Sequence, residues 1–391
     1  MKTLLRLALP LSVIPSLAWA VYAPIPEQEQ GKALTVRVGG SVYHDSNIFG
    51  SATNEIDSMV YNASAKLSYN GSLSDQTFAT AFYEINSDIV VDRPGDESLL
   101  GHSLSARLAH SFSADSNVDV TALYNITENP ESLLAGIPVS TDQSFKRAQL
   151  DGRFTTAVGP KTALTTKYRF VDFAYDDASL GASLDRSENL LGLEGSFALL
   201  PETKLVGEYR FQSIGYDTAG NLKDKVSNFF MAGADYNPSK ELLLSGRVGV
   251  EDRQRDSAPD ETSPYVELSG RYTYAQDSFL SGGYVYTMEE SSDVARFLDS
   301  KVSRFFTNVQ HRLTGTVSAS GSLTYTPSQL QGRGTQRDVD EDTTRFGLSL
   351  FWQPNKNLTV AANYDVDEVN SDDAFRDQSR SRFGVSAHFT F

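Results

Sequence analysis

Hydrophobic and polar residues alternate along most of the chain, most regularly at its C-terminal end. From Phe383 to Phe391 every second residue is hydrophobic, and the residues between them are polar or glycine. A period of two is typical of a β-strand with one apolar face. At an exposed sheet edge such a strand would invite aggregation, because its backbone groups lack partners. The pattern therefore predicts a closed barrel in which the last strand pairs with the first and the apolar face contacts lipid.

The same alternation recurs from residue 34 onward, in segments separated by turn-forming residues. It predicts about eighteen strands, with sixteen as the alternative. The predicted strands are 34–44, 58–70, 76–88, 101–113, 117–128, 143–157, 162–174, 185–198, 203–216, 224–236, 241–253, 264–275, 278–289, 301–313, 316–327, 343–353, 358–367 and 380–391.

Short and long connections alternate between these strands. Short ones such as 114–116 and 276–277 have turn composition, whereas 254–263 and 328–342 are longer and acidic. We therefore predict an all-β fold over 34–391: a single transmembrane, antiparallel, up-and-down β-barrel with short periplasmic turns and longer extracellular loops. An even strand count places both termini in the periplasm. A soluble sandwich or a propeller would not explain this alternation.

The N-terminal segment has a different pattern. Lys2 and Arg6 precede a short apolar stretch, and Ala18-Trp19-Ala20 follows it as a cleavage pattern, which predicts a secretory signal peptide over residues 1–20. The apolar stretch is short for a retained membrane anchor. Residues 21–33 are predicted to form a periplasmic leader.

Aromatic residues recur on the hydrophobic face near the predicted periplasmic turns. They predict an aromatic girdle at one membrane interface, formed by Phe112, Phe154, Phe197, Tyr236, Tyr274 and Trp352. The predicted partner of this face is the lipid of the outer membrane.

The residues on the opposite face would line the lumen. The predicted basic path consists of Arg37, Lys66, Arg107, Arg147, Arg153, Lys167, Arg169, Arg210, Arg247, Arg253, Arg271, Arg304, Arg312, Arg345 and Arg382. The predicted acidic partners are Glu188, Glu194, Glu208, Glu251 and Glu267, together with Glu84, Asp119, Asp151, Asp365 and Asp367. Basic residues outnumber acidic ones here, although the chain has a formal net charge of −16, which argues against nucleic-acid binding.

Two interpretations of this lumen stay open. Arginine and carboxylate side chains could pair across strands and brace the wall. Alternatively, guanidinium groups could line a water-filled path for an anionic or hydroxyl-rich solute, because their planar fork binds carboxylates and phosphates. A barrel of about eighteen strands is wide enough for an aqueous lumen.

The chain offers little catalytic chemistry. It contains no cysteine, so thiolate catalysis and disulfides are excluded. Ser386 and His388 share a face, but no acid that would orient the histidine is evident. Asp45, Asn47 and Asp57 give only a weak indication of a calcium site, and turn chemistry explains Asp45-Ser46-Asn47 better. We predict no enzymatic activity, no metal and no cofactor.

The segment Tyr43-His44-Asp45-Ser46-Asn47-Ile48-Phe49, with the later Asp57-Ser58-Met59-Val60-Tyr61, resembles the start of the β-barrel porin 2 family. His44 is a departure from that pattern. The resemblance implies a Gram-negative outer-membrane location and a role in exopolysaccharide export or capsule assembly, with periplasmic export components as partners. The C-terminal strand is similar to the closing strand of outer-membrane barrels, which implies that Phe391 is a signal for the barrel-assembly machinery.

The function expected from these features is a passive outer-membrane channel, a porin or an export conduit, for polysaccharide or another anionic or hydroxylated solute. The alternative is a structural or partner-binding barrel whose lumen is closed by internal salt bridges. An outer-membrane enzyme is the third and least supported class.

Overall fold

The computed structural model describes residues 33–95, 97–127, 144–218, 223–291, 293 and 296–391. The predicted signal peptide and the predicted loop 129–142 lie outside these residues, as does the predicted leader apart from Ala33. Within the described residues the elements are β1 (Leu34–Asp45), β2 (Ser58–Ser74), β3 (Thr77–Val90), β4 (Ser98–Ser113), β5 (Ser116–Thr127), β6 (Phe145–Gly159), β7 (Thr162–Tyr175), α1 (Ala178–Leu184), β8 (Arg186–Leu200), β9 (Thr203–Tyr216), β10 (Lys225–Tyr236), β11 (Leu242–Arg255), β12 (Glu261–Ala275), β13 (Ser278–Glu290), β14 (Phe297–Arg312), β15 (Val317–Gly332), β16 (Val339–Trp352), β17 (Leu358–Ser371) and β18 (Gln378–Thr390).

All eighteen strands belong to one sheet, and each pairs with its neighbours in chain order. The sheet closes because β1 pairs antiparallel with β18, from Arg37 opposite Thr390 to Asp45 opposite Arg382. The predicted eighteen-stranded antiparallel up-and-down barrel is therefore confirmed. We call the end with the tight turns, such as that between β2 and β3, the turn end. We call the opposite end the loop end.

The two faces of the wall differ sharply, as β9 illustrates. Leu205, Tyr209 and Phe211 are exposed on one face, whereas Glu208 and Arg210 on the other face are almost fully buried. In a closed sheet the exposed face must be the exterior and the buried face must look inward. The barrel therefore carries hydrophobic side chains outside and charged ones inside, which is the arrangement of a transmembrane barrel.

Several strands continue further at the loop end than predicted. β4, β14 and β16 begin at Ser98, Phe297 and Val339, whereas the predicted strands began at 101, 301 and 343. The exterior there is polar, as in the hydrogen bond from the Thr262 hydroxyl to Asp252 (2.9 Å). The alternation of hydrophobic and polar residues therefore ends before the backbone pairing between neighbouring strands ends. As a result, the predicted loops 254–263 and 328–342 are reduced to 256–260 and 333–338.

A short helix, α1, occupies most of the predicted loop 175–184. Asp177 caps its N-terminus by accepting hydrogen bonds from the backbone N–H groups of Ser179 and Leu180, which satisfies donors that the first helical turn leaves free. Of the helices in the described ranges, none has the length and hydropathy needed to cross a membrane.

Small hydrophobic clusters fill the inner side of the wall near the loop end. One consists of Leu184 of α1 with Ile214 and Tyr216 of β9. Another consists of Phe297, Leu330 and Val339. The contact of Leu184 shows that the β7–β8 connection folds inward over the strand ends. Hydrophobic side chains are therefore buried on the inner side of the wall at the loop end.

The seam between β1 and β18 depends on close backbone approach at Gly384, which lies opposite Tyr43. A Cβ atom at Gly384 would collide with the Cβ atom of Tyr43 and approach the Val42 carbonyl oxygen at 2.5 Å. We predict that Gly384→Val lowers the free energy of unfolding by about 1–3 kcal/mol, since the strands must move apart.

The measurement is the temperature at which the barrel loses its heat-modifiable mobility in SDS gel electrophoresis. Gly207→Val is the matched control, because a Cβ atom there meets nothing within 4 Å. Equal midpoints for the two variants would contradict the importance of the seam.

Candidate functional site

The candidate site is the inner face of the barrel. Residues directly opposite each other on neighbouring strands project to the same side of a sheet. Following the observed register from Glu208 and Arg210 around the barrel places every residue of the predicted basic path, and every predicted acidic partner, on this inner face. What they do there is decided by their contacts.

A central network joins β7, β8 and β9. The Lys167 ammonium donates to Glu194 (2.7 Å) and to Glu208 (2.9 Å). Arg210 donates from Nε to the same Glu208 carboxylate (2.8 Å). Glu208 is therefore held between two cations, which offsets the cost of burying its charge.

The central network continues toward β12 through Tyr265. Arg210 Nη1 donates to the Tyr265 hydroxyl (3.0 Å), which in turn donates to Glu267 (2.8 Å). The guanidinium of Arg210 is only 2% exposed. Such a group braces the wall and offers no surface to a passing solute.

A second, loop-end network joins β10, β11 and β14. Asp299 is fully buried and accepts hydrogen bonds from Lys225 (2.8 Å) and Arg253 (2.5 Å). Lys225 also contacts Glu290 (2.8 Å), and Arg253 donates to Glu251 (2.8 Å). These contacts hold the outer ends of β13 and β14 against β10 and β11, on the inner side of the wall.

The sequence predicted only part of this loop-end network. Arg253 and Glu251 were in the predicted sets, but Lys225, Asp299 and Glu290 were not. Lys225 lies at the start of β10, and Asp299 lies in the predicted loop 290–300, which the structure shows to be partly strand. The loss of alternation at the loop end concealed these residues, and only their contacts identify them.

Most of the other predicted cations form ion pairs with acids on adjoining strands or, for Arg312, in a neighbouring turn. These pairs are Lys66–Glu84, Arg107–Asp119, Arg169–Asp151, Arg247–Asp235, Arg304–Glu289, Arg312–Asp277 and Arg382–Asp367. Arg345 lies 3.9 Å from the same Asp367, and Arg147 donates to Gln149. Pairing across the wall therefore accounts for most of the predicted basic path.

Three predicted cations differ from the rest. Within the described residues, Arg37, Arg153 and Arg271 form no ion pair with a carboxylate. Arg271 lies over the ring of Phe279 at 4.1 Å, whereas Arg153 is exposed on the lumen side. If an Arg-lined path exists, these are the residues whose donors can reach a solute.

The first outer loop folds inward through the motif that carries the family resemblance. Arg380 donates to both carboxylate oxygens of Asp45 (2.9 and 3.0 Å). The Asn47 amide donates to the backbone carbonyls of Ser51 and Ser379, and Ile48 packs on the inner wall. The motif therefore fixes this loop across the β1–β18 seam.

The weak calcium hypothesis gains no support from this geometry. Asp45 is occupied by Arg380, and Asp57 lies beside His44 at 3.2 Å. The described residues contain no group of three or more side chains suited to hold a metal ion.

Outer connections also contact one another. Arg296 donates to Asp373 (2.6 Å), which joins the β13–β14 and β17–β18 connections. This hydrogen bond lowers the pKa of Asp373 below its usual range. The contact therefore persists at neutral pH and weakens only as the pH falls through that lowered value.

Aromatic residues mark two levels of the exterior. The predicted girdle residues are all exposed near the turn end, as their positions on the outer face require. A second level, which the sequence did not indicate, lies several residues further toward the loop end. It comprises Tyr83, Tyr124, Tyr168, Tyr209, Phe230, Phe305, Tyr325, Tyr364 and Phe383.

The tyrosines of the second level point toward polar residues. The hydroxyl of Tyr168 donates to Asn189 and that of Tyr209 donates to Asn228, each at 2.8 Å. An aromatic body beside aliphatic residues with its hydroxyl in a polar layer is the arrangement that suits a membrane interface.

The fold is similar to several solved barrels at low sequence identity. OccAB3 from Acinetobacter baumannii is 13% identical with a TM-score of 0.46, covering 92% of this chain and 99% of that chain. OccAB4 from the same organism is 11% identical with a TM-score of 0.46, covering 93% and 99%. The siderophore receptor PirA from Pseudomonas aeruginosa is 14% identical with a TM-score of 0.42, covering 91% and 80%. These similarities are too low to carry an argument about function.

No family model matches the sequence, and no curated protein matches it significantly. The resemblance to the β-barrel porin 2 family therefore stays a prediction.

The central network yields a prediction about stability. Arg210→Met should lower the free energy of unfolding by about 3 kcal/mol, because it removes one of the two cations that hold the buried Glu208. Arg153→Met is the matched control, since that guanidinium is exposed and unpaired within the described residues. Heat-modifiable mobility measures both variants. An unchanged midpoint for Arg210→Met would show that the network does not support the barrel.

Proposed function

We propose that this protein is a bacterial outer-membrane channel or export conduit with its turn end in the periplasm. The closed sheet, the hydrophobic exterior and the two aromatic levels support the membrane location. The polar extension of the strands at the loop end suits the outside of the cell. The start of β1 and the end of β18 both lie at the turn end, so both would lie on the periplasmic side. The predicted aromatic girdle would then lie at the inner interface of the membrane.

The solute we propose is anionic or hydroxylated, and polysaccharide is the particular class that the family resemblance suggests. The observation that carries this proposal is the contrast between paired and unpaired cations. In the central and loop-end networks, carboxylates neutralise the cations, and these networks brace the wall. Arg37, Arg153 and Arg271 have guanidinium donors on the lumen side that form no ion pair within the described residues. A lumen bounded by eighteen strands is wide enough to hold water, and such guanidinium groups would favour anions over cations.

The proposed partners follow from this location. Outer-membrane lipid would contact the exterior, and the barrel-assembly machinery would recognise the C-terminal strand with Phe391. Phe391 packs beside Phe389 with its ring exposed, and its N–H donates to Val36. Periplasmic components of polysaccharide export would meet the turn end.

The proposal predicts an anion-selective conductance in planar bilayers. Neutralising Arg37 and Arg153 together with glutamine should reduce the anion-to-cation permeability ratio, because within the described residues neither guanidinium forms an ion pair with a carboxylate. Lys146→Gln is the matched control, since Lys146 lies on the exterior in an exposed pair with Asp176. Reversal potentials across a salt gradient measure the ratio. The proposed path would be contradicted if the wild type is cation-selective. It would also be contradicted if the permeability ratio of the Arg37 and Arg153 double variant equals that of the wild type.

One observation favours the alternative of a structural barrel with a closed lumen. The loop-end network and the inward-folded connections occupy the inner side of the wall at the loop end. If these contacts seal the loop-end mouth of the lumen, the wild-type barrel would not conduct ions, even though arginines line its lumen.

Asp299→Asn tests this alternative. The substitution removes the carboxylate shared by Lys225, Arg253 and Arg255, so the outer ends of β13 and β14 should separate from β10 and β11. We predict that conductance per channel rises at least twofold, or appears where the wild type is silent. Asp176→Asn, which breaks an exposed exterior pair, should leave conductance unchanged. No difference between the two variants would show that the network does not narrow the mouth.

A further inference from the structure

The lumen wall contains a recess between β4, β5 and β6, on the turn-end half of the barrel. Its volume is about 400 Å³. Its polar lining is formed by Arg107, Ser111, Asn117, Asp119, Arg153 and Thr155. This volume lies within the range of about 300–1,000 Å³ that is usual for small-molecule sites.

Within the described residues, the charges around this recess are arranged so that one cation, Arg153, has no carboxylate partner. Arg107 donates to Asp119 from both Nε (3.0 Å) and Nη2 (2.6 Å), so this carboxylate is already neutralised. Asp119 is the residue directly opposite Arg153 on β5. Lys167, opposite Arg153 on β7, is occupied by Glu194 and Glu208.

Polar groups next to Arg153 complete the recess. Asn117 can donate and accept through its side-chain amide, and Ser111 can do so through its hydroxyl. Thr155 shares a hydrogen bond with Thr165 (3.1 Å) across the strand pair. A guanidinium beside amide and hydroxyl groups matches a ligand that bears a carboxylate next to hydroxyl groups.

We propose that this recess is a binding site for a sugar acid, with Arg153 as the group that binds the carboxylate. Arg153 would hold the carboxylate in the bidentate manner typical of guanidinium, and Asn117 and Ser111 would bind adjacent ring hydroxyls. The proposal rests on the proposed function in one respect, because the ligand must be able to enter the lumen.

Isothermal titration of the full-length, detergent-solubilised barrel with glucuronate and with glucose tests the site. Glucuronate should bind at least tenfold more tightly than glucose, because only glucuronate offers a carboxylate to Arg153. Arg153→Gln should weaken glucuronate binding about tenfold and leave glucose binding almost unchanged. The control Lys146→Gln should bind both sugars as the wild type does. Equal binding of the two sugars, or an unaltered Arg153→Gln variant, would overturn the proposal.

A second variant changes the affinity in the opposite direction. Asp119→Asn removes a negative charge that lies opposite Arg153 and releases Arg107 from its ion pair with Asp119, so glucuronate binding should strengthen severalfold. Weaker or unchanged binding in a variant that retains heat-modifiable mobility would count against the site. If the variant does not fold, Arg153→Gln decides the question.

Binding and conductance separate this proposal from the channel proposal. Selective binding of glucuronate by a barrel that does not conduct would overturn the channel alone. Anion-selective conductance without selective binding would overturn the recess alone.

Discussion

The pairing of β1 with β18 is the constraint on which the rest of the structure depends. A strand in a membrane has no water to satisfy its backbone groups, so the sheet must leave no free edge within the lipid. The seam is extended beyond the strands, where Ser46 exchanges hydrogen bonds with Ser381 and Asn47 donates to Ser379. Once the sheet is closed, every side chain must face either lipid or the lumen.

Closure then decides how the charged residues are accommodated. Every second residue of a strand faces inward, so the charged residues at these positions lie on the inner face. An unpaired charge that is buried there is costly. The barrel offsets this cost at the loop end by shared carboxylates, such as Asp299 between Lys225 and Arg253. Toward the turn end, groups such as Arg153 remain accessible from the lumen. The same inner face can therefore brace the wall at one level and contact a solute at another.

Sequence patterns predicted the architecture well because alternation and turn chemistry are local. They failed where the barrel extends beyond the hydrophobic exterior, as at Phe297 and Val339, since polar residues then occupy both faces and the period disappears. They also missed the second aromatic level. Its members lie on different strands and further from the turns than the predicted girdle.

By itself, the sequence determined the class of fold, a strand count of about eighteen, and the face of each residue in the alternating part of a strand, because these depend on a period of two along a single segment. Only the tertiary structure decided which charges meet. Lys225 and Asp299 are 74 positions apart, and their contact depends on register and on the inward fold of the outer connections. Whether a given arginine braces the wall or remains accessible is a property of its neighbours across strands, which no local pattern contains.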